Sequence, residues 1–217
     1  ITGNELTRGG QSGFNINGTG TLITLNKIHN NNTEMFDNTD WEAGGGKAVG
    51  SNFTFDSNEV YNNRGPGIWI DIHSRNIIIS NNNVHHNDAE GIFFEISRDS
   101  AIFGNKVWEN GWVTRTIWAW GSGIISSSAG GVEIYNNILA WNADGISAIS
   151  QNRPDAELPT DINIHDNTII QQRDPTDTSD IFSVGWDSDN ALMYDPASNN
   201  RGANNKYWFS YTEPSYC

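Results

Sequence analysis

Two stretches of the 217-residue chain repeat one another, GPGIWIDIHS (65–74) and AEGIFFEISR (89–98). Each carries an acid at the same place, Asp71 and then Glu95, and one further step of equal length back from Asp71 reaches Lys47 in WEAGGGKAVG. If the three stand side by side on neighbouring strands, the carboxyl groups start about 5 Å apart. Like charges that close push one pKa up, while an adjacent cation keeps the other group ionised. Lys47 is expected beside Asp71, which therefore stays charged. Glu95 lies one step further from the lysine with Phe93 nearby, and becomes the proton donor. An ionised carboxylate and a protonated one about 5–5.5 Å apart are what retaining glycoside hydrolysis uses.

Such side-by-side placement needs a fold that repeats, and the chain does. The unit apolar-x-apolar-x-x-Asn-x-aliphatic-x-x-Asn, as in IIISNNNVHHN (77–87), recurs with its first Asn at 4, 26, 58, 82, 105, 137 and 167. The base period is about 22–24 residues, and the three longer steps carry insertions of about eight to ten residues. Within each unit, short β-branched and aromatic runs alternate with period two between Asn and Gly, and no segment has helical periodicity. Three short strands per turn predict an all-β, right-handed parallel β-helix of about seven rungs. The seven Asn residues are expected to stack as an amide ladder. One domain is expected over 1–217, with insertions near 32–46, 110–122 and 150–160 and a non-repeat tail at 186–217.

After the second Asn of each unit, a Gly starts a strand whose residues alternate in and out. Ile68, Ile70 and Ile72 are expected inward, with Trp69, Asp71 and His73 outward; on the next rung Ile92, Phe94 and Ile96 go in, with Phe93, Glu95 and Ser97 out. The outward row then reads Lys47, Asp71, Glu95 and Ser127, preceded by Asn15 or Asn17. Trp69 and Phe93 would offer aromatic faces to a sugar. Trp41 and Glu42 in the first insertion, and Trp118 in the second with Trp112 and Trp120, would wall a cleft. Gly44, Gly45 and Gly46 would permit close approach by a ligand. The plain alternative is a solvated ladder of charges that neutralises itself.

Composition narrows the partners. Asp and Glu outnumber Lys and Arg by 26 to 12, a net charge of −14, which disfavours nucleic acid and anionic membranes. No run reaches the roughly 20 apolar residues of a membrane-spanning helix. The single cysteine, Cys217, allows no intrachain disulfide. His73, His85, His86 and His165 lack metal-ligand spacing, so no zinc site is expected. The acidic stretch TEMFDNTDWE (33–42) lacks a recognised calcium-loop spacing. Sequons stand at Asn17, Asn31 and Asn52, and the Asn- and Gly-rich acidic composition suits an extracellular or secreted protein.

The motifs WEAGGGK, GIWIDI and GIFFEIS, in this order, resemble the signature of bacterial right-handed β-helix proteins that include retaining glycosidases of the β-xylosidase type. The resemblance covers roughly residues 20–150 and implies Asp71 as nucleophile and Glu95 as acid/base; no cofactor is expected for that chemistry. NNKYWFSYTEPSYC at the end resembles the start of a segment that continues in such proteins, so the chain is expected to be a fragment. The first reading is thus a glycoside hydrolase acting on a polysaccharide or oligosaccharide. A second makes Lys47 the base of a uronate lyase or epimerase, similar to β-helix pectate lyases, with Asp71 and Glu95 holding Ca²⁺ and Arg115 or Lys47 facing the uronate. A third is a non-catalytic sugar-binding rod that associates end to end.

Overall fold

Asn and Gly at fixed intervals cut the chain into strands mostly three to eight residues long, too short to pair within their own turn of the coil. Each pairs instead with its equivalent one turn away. The computed structural model describes residues 1–39, 41–115, 118–171 and 181–209. In it, 22 strands form three parallel sheets of eight, seven and seven strands, a right-handed parallel β-helix. Two short 3-10 turns, Ala191–Tyr194 and Pro196–Ser198, are the helical segments among the described residues, and no helix there is long and apolar enough to cross a membrane.

Inward residues from the three sheets fill one continuous core. Ile68, Ile70, Ile92, Phe94 and Ile124 come from one sheet, Phe55, Ile79 and Ile102 from the second, and Val60, Val84 and Val107 from the third. Each such side chain contributes about 1.5–3 kcal/mol by leaving water. The glycine that begins each long strand has a packing reason: a Cβ on Gly67 would stand 2.6 Å from the Gly91 carbonyl oxygen of the next rung, and one on Gly91 would stand 2.6 Å from that of Gly123.

The amide ladder runs as expected from Asn4 through Asn26, Asn58, Asn82, Asn105, Asn137 and Asn167. It then continues to Asn205. Strands Val184–Ser188, Arg201–Ala203 and Lys206–Phe209 extend the three sheets, so residues 184–209 belong to the repeat and are not a non-repeat tail. The longer step from Asn167 to Asn205 hides this rung from a search at the base period. The rest of the expected tail, 210–217 with Cys217, lies outside the described residues. A second ladder links Asn31, Asn63, Asn87, Asn110 and Asn142, the second Asn of each unit.

The even spacing does not hold where it matters most. Strand Gly44–Ser51 meets strand Ile68–Arg75 with Lys47 opposite Trp69 and Val49 opposite Asp71, but with Ser51 opposite Arg75, so the second strand gains two residues on the first. The extra pair is Ile72 and His73, both left-handed at φ 45° and 54°. Strand alternation does not pass through a left-handed pair, so Ile72 is 47% exposed and not inward. Lys47 accordingly lies two residues out of register with Asp71.

Asn82 accepts from the backbone N–H and Nδ2 of Asn58 at 2.9 Å and donates to the Phe55 carbonyl and to Asn105. Asn82→Ala leaves several of these buried groups unpaired and is expected to cost about 2–4 kcal/mol, read as a lower urea midpoint. A midpoint equal to that of the unchanged protein would remove the ladder from the list of stabilising features.

Candidate active site

The candidate site lies on the outer face of the sheet ordered Ser12–Thr19, Gly44–Ser51, Ile68–Arg75, Ile92–Glu95, Ser122–Ser127, Asp144–Ser150 and Val184–Ser188. Phe94 pairs with Ile70, and the next step of that register sets Glu95 beside Asp71. Glu95 pairs in turn with Ser127, as the sequence predicts, and Asn15 pairs with Lys47. The turn after each acid is closed by a buried serine. Ser74 Oγ donates to the Asp71 carbonyl at 2.7 Å and accepts from Gly50 N–H; Ser97 Oγ donates to the Glu95 carbonyl at 2.6 Å and accepts from Ser74 N–H. Asp71 Oδ1 accepts from its neighbour's backbone, Ile72 N–H, at 2.7 Å.

Despite its displacement, Lys47 reaches Asp71. Its Nζ lies 2.8 Å from Asp71 Oδ2, contacts Glu42, and sits 4.2 Å from the centre of the Trp69 ring. Burial pulls the Lys47 pKa down, but hydrogen bonds and charge from Asp71 and Glu42 outweigh it and the amine is held above the ordinary lysine value. A lysine held this way favours its protonated form, which speaks against the base role that the lyase reading gives it. Its role is to balance two carboxylates.

Glu95 is nine-tenths buried at its side chain. Burial first, and the Asp71 charge second, raise its pKa, opposed by Arg153 and Trp69. Trp69 Nε1 donates to Oε2 at 3.1 Å, and Arg153 Nη2 donates to Oε1 at 2.6 Å. Arg153 also donates through Nε to Ser128 Oγ at 3.2 Å, and its Nη2 lies 3.5 Å from Ser127 Oγ. It belongs to the 150–160 insertion, which the sequence marks only as a length change. That insertion falls on the rung after Ser127, and this is the signal that could have drawn attention to its single basic residue.

Several expected binding surfaces are used for packing. Trp69 and Phe93 are 6% and 4% exposed; they stack on each other at 5.0 Å, and Trp120 stands edge-on to Phe93. With Ala119, Ile125, Ile149 and Phe182 they form a second small core outside the coil, so they are the floor of the site and not open sugar platforms. The 110–122 insertion lies over that core, with Trp118 tilted against Phe182, while Trp112 turns to the Trp141 carbonyl and Arg115 stacks on Trp112. Trp41 is 65% exposed. The space left by Gly44, Gly45 and Gly46 is taken by the next rung and by the Phe14 ring, not by a ligand: a Cβ on Gly46 would stand 2.3 Å from that ring. Among the described residues, no three His, Cys, Asp or Glu side chains converge as a metal site.

Residues 1–139 match the family model described as the right handed beta helix region. No curated protein sequence matches the chain. Among solved structures, the periplasmic alginate epimerase AlgG is similar with a TM-score of 0.52 at 15% identity, over 91% of this chain and 43% of that one. A double mutant of the same epimerase aligns at 0.52 and 14%, over 96% and 46%. An alginate lyase from Paenibacillus sp. aligns at 0.43 and 10%, over 95% and 92%. The chain thus spans less than half the length of the epimerase it matches.

Two outcomes follow from the charges. Glu95 binds its proton more tightly folded than unfolded, so its contribution to stability is full below about pH 4.5 and is lost as pH rises through its raised folded pKa. Glu95→Gln should therefore gain stability relative to the unchanged protein between pH 4 and 7, measured by denaturation at each pH; a constant difference would contradict the raised pKa. Lys47→Met strands Asp71 and should cost about 3–5 kcal/mol, whereas Glu42→Gln, at a partly exposed partner, should cost about 1 kcal/mol or less.

Proposed function

The chain belongs to the right-handed β-helix family, and on that scaffold we propose that it acts on a uronate-containing polysaccharide, removing the C5 proton of a uronate in a β-elimination. The observation that carries this reading is where the cations are. Of 12 Lys and Arg in a chain of net charge −14, Lys47, Arg153, Arg75 and Arg98 gather along the rungs of Asp71 and Glu95. Each is met by a carboxylate of the chain itself, and protonation of Glu95 releases Arg153; a uronate must have its carboxylate neutralised before its C5 proton becomes removable, and Arg153 is placed to do that. The resemblance in fold to an alginate epimerase, whose named substrate is a polyuronate, supports the same substrate class. A substrate of that kind also suits a protein outside the cytoplasm.

The roles follow from the charges. With Glu95 protonated, the Arg153 guanidinium loses its anionic partner and is available to the uronate carboxylate. The Asp71 carboxylate takes the C5 proton, the C5–H electrons form a C4–C5 double bond, and the C4–O4 bond breaks. The leaving oxygen takes its proton from Glu95. Both acids project from one face of one sheet and so reach one face of the sugar, which suits elimination on that face better than returning a proton to the opposite one. The positive charge that the calcium alternative assigns to an ion comes here from Arg153.

The retaining hydrolase remains the second reading, favoured by the adjacent Asp71 and Glu95 with unequal hold on their protons. Incubation with alginate, polygalacturonate and neutral xylans separates the two. New reducing ends with ultraviolet absorbance from an unsaturated uronate are expected, with a loss of at least about 100-fold in Asp71→Asn and in Glu95→Gln. Reducing ends without that absorbance would replace the lyase with the hydrolase, and a changed C5 configuration without cleavage would make it an epimerase. No turnover on any of these would leave the non-catalytic rod.

A further inference from the structure

Arg75 and Arg98 are direct bridge partners on successive rungs. Like charges set opposite each other across a parallel pair repel, and the repulsion is tolerated only with an anion close by. The first anion is local: Asp99 lies 3.2 Å from Arg75 and 3.7 Å from Arg98. The second comes from far along the chain. Glu157 Oε1 lies 2.9 Å from Arg75 Nη2 and 3.1 Å from His73 Nδ1, and its Oε2 lies 3.9 Å from Arg98 Nη1. Its side chain is only 13% exposed, so three cationic or protonatable groups enclose one carboxylate.

The segment bringing Glu157 there is the same 151–160 insertion that brings Arg153 to Glu95. It forms no regular structure and buries one apolar residue, Pro159, while Leu158 stays exposed. Its ends are tied by Gln151 N–H to Ser128 Oγ, Gly131 N–H to the Thr160 carbonyl and Asn200 Nδ2 to the Pro159 carbonyl, and between them the attachments are Glu157 N–H to the Ser128 carbonyl and the side-chain pairs of Arg153 and Glu157. The middle of the strap, 153–158, with Glu157 N–H as its main-chain bond to the sheet, opens at smaller cost than the rungs beneath it.

We propose that His73, Arg75 and Arg98 form a second carboxylate-binding subsite, filled by the chain's own Glu157 until a uronate carboxylate of the polysaccharide displaces it. The inference rests on the reading of the substrate as a polyuronate and adds a site to it. Arg153 takes the carboxylate of the sugar being cleaved; His73, Arg75 and Arg98 take that of another sugar on the same chain. The strap then opens at its Glu157 end, while Arg153 stays over Glu95 and holds the carboxylate of the sugar being cleaved.

The test compares binding of mannuronate and galacturonate trisaccharides to the unchanged protein and to Glu157→Gln by calorimetry, with cleavage after Glu157 by a glutamate-specific endoprotease followed in parallel in the unchanged protein. Removing the internal competitor should tighten trisaccharide binding about tenfold, and Arg98→Gln in the same background should abolish the gain. Trisaccharide should also accelerate cleavage after Glu157 in the unchanged protein, because it draws that side chain out of its cluster. That measurement decides the matter even if Glu157→Gln fails to fold. Binding and turnover by the unchanged protein, with no gain in the variant and no faster cleavage, would overturn the subsite and leave the elimination standing. No trisaccharide binding by either protein, with no uronate turnover, would overturn both.

Discussion

A parallel β-helix has to solve one problem at every turn of the coil: its backbone leaves a strand, bends inward and buries polar groups that no strand partner can reach. Here the asparagine amide solves it. Each side-chain carbonyl accepts from the backbone and amide of the Asn one rung before, and each amide nitrogen reaches a main-chain carbonyl and the next Asn. Because each amide pairs with an identical residue at the rung spacing, the ladder holds the bends of successive rungs in line. The position of every outward side chain is inherited from that alignment.

Alignment at the bends leaves freedom between them. The strand from Ile68 to Arg75 begins its pairing with Trp69 opposite Lys47 and ends it with Arg75 opposite Ser51, and the left-handed pair Ile72 and His73 absorbs the difference in length. The irregularity immediately follows Asp71 and is matched on the next rung by Ile96, again left-handed and again following the acid. Two serines close these turns from within. A local departure from the repeat is thus what aims the carboxyl groups, as expected where a functional group must be directed on an otherwise regular scaffold.

This division explains what was legible in the sequence. The ladder, the inward isoleucines and the adjacency of Asp71, Glu95 and Ser127 depend on residue type at a fixed period, and the period is written in the chain. The offset of Lys47 was hidden because its spacing from Asp71 coincides with the rung length elsewhere, and only the backbone of Ile72 and His73 reveals that this pair does not count. The burial of Trp69 and Phe93 was hidden because what covers them comes from insertions, whose course no repeat dictates. Arg153 and Glu157 escaped notice for the same reason. Their partners lie several rungs back along the chain, Glu95 for the one and His73 and Arg75 for the other, at separations with no periodic signature.

The strap has a consequence for how the site comes into being. In a solenoid each rung contacts only its neighbours, and partial arrays can be stable on their own. The groups around Glu95, however, are drawn from successive strands of one sheet and the loop that follows them: Lys47, Asp71, Glu95, Ser127 and Arg153. A nascent chain that has laid down the strands of the first four already buries Asp71 and Glu95 side by side but lacks the cation that answers the second acid. Completion of the next rung supplies it. The site is therefore complete only when the rung carrying Arg153 is in place, in a fold whose stability otherwise accumulates one rung at a time.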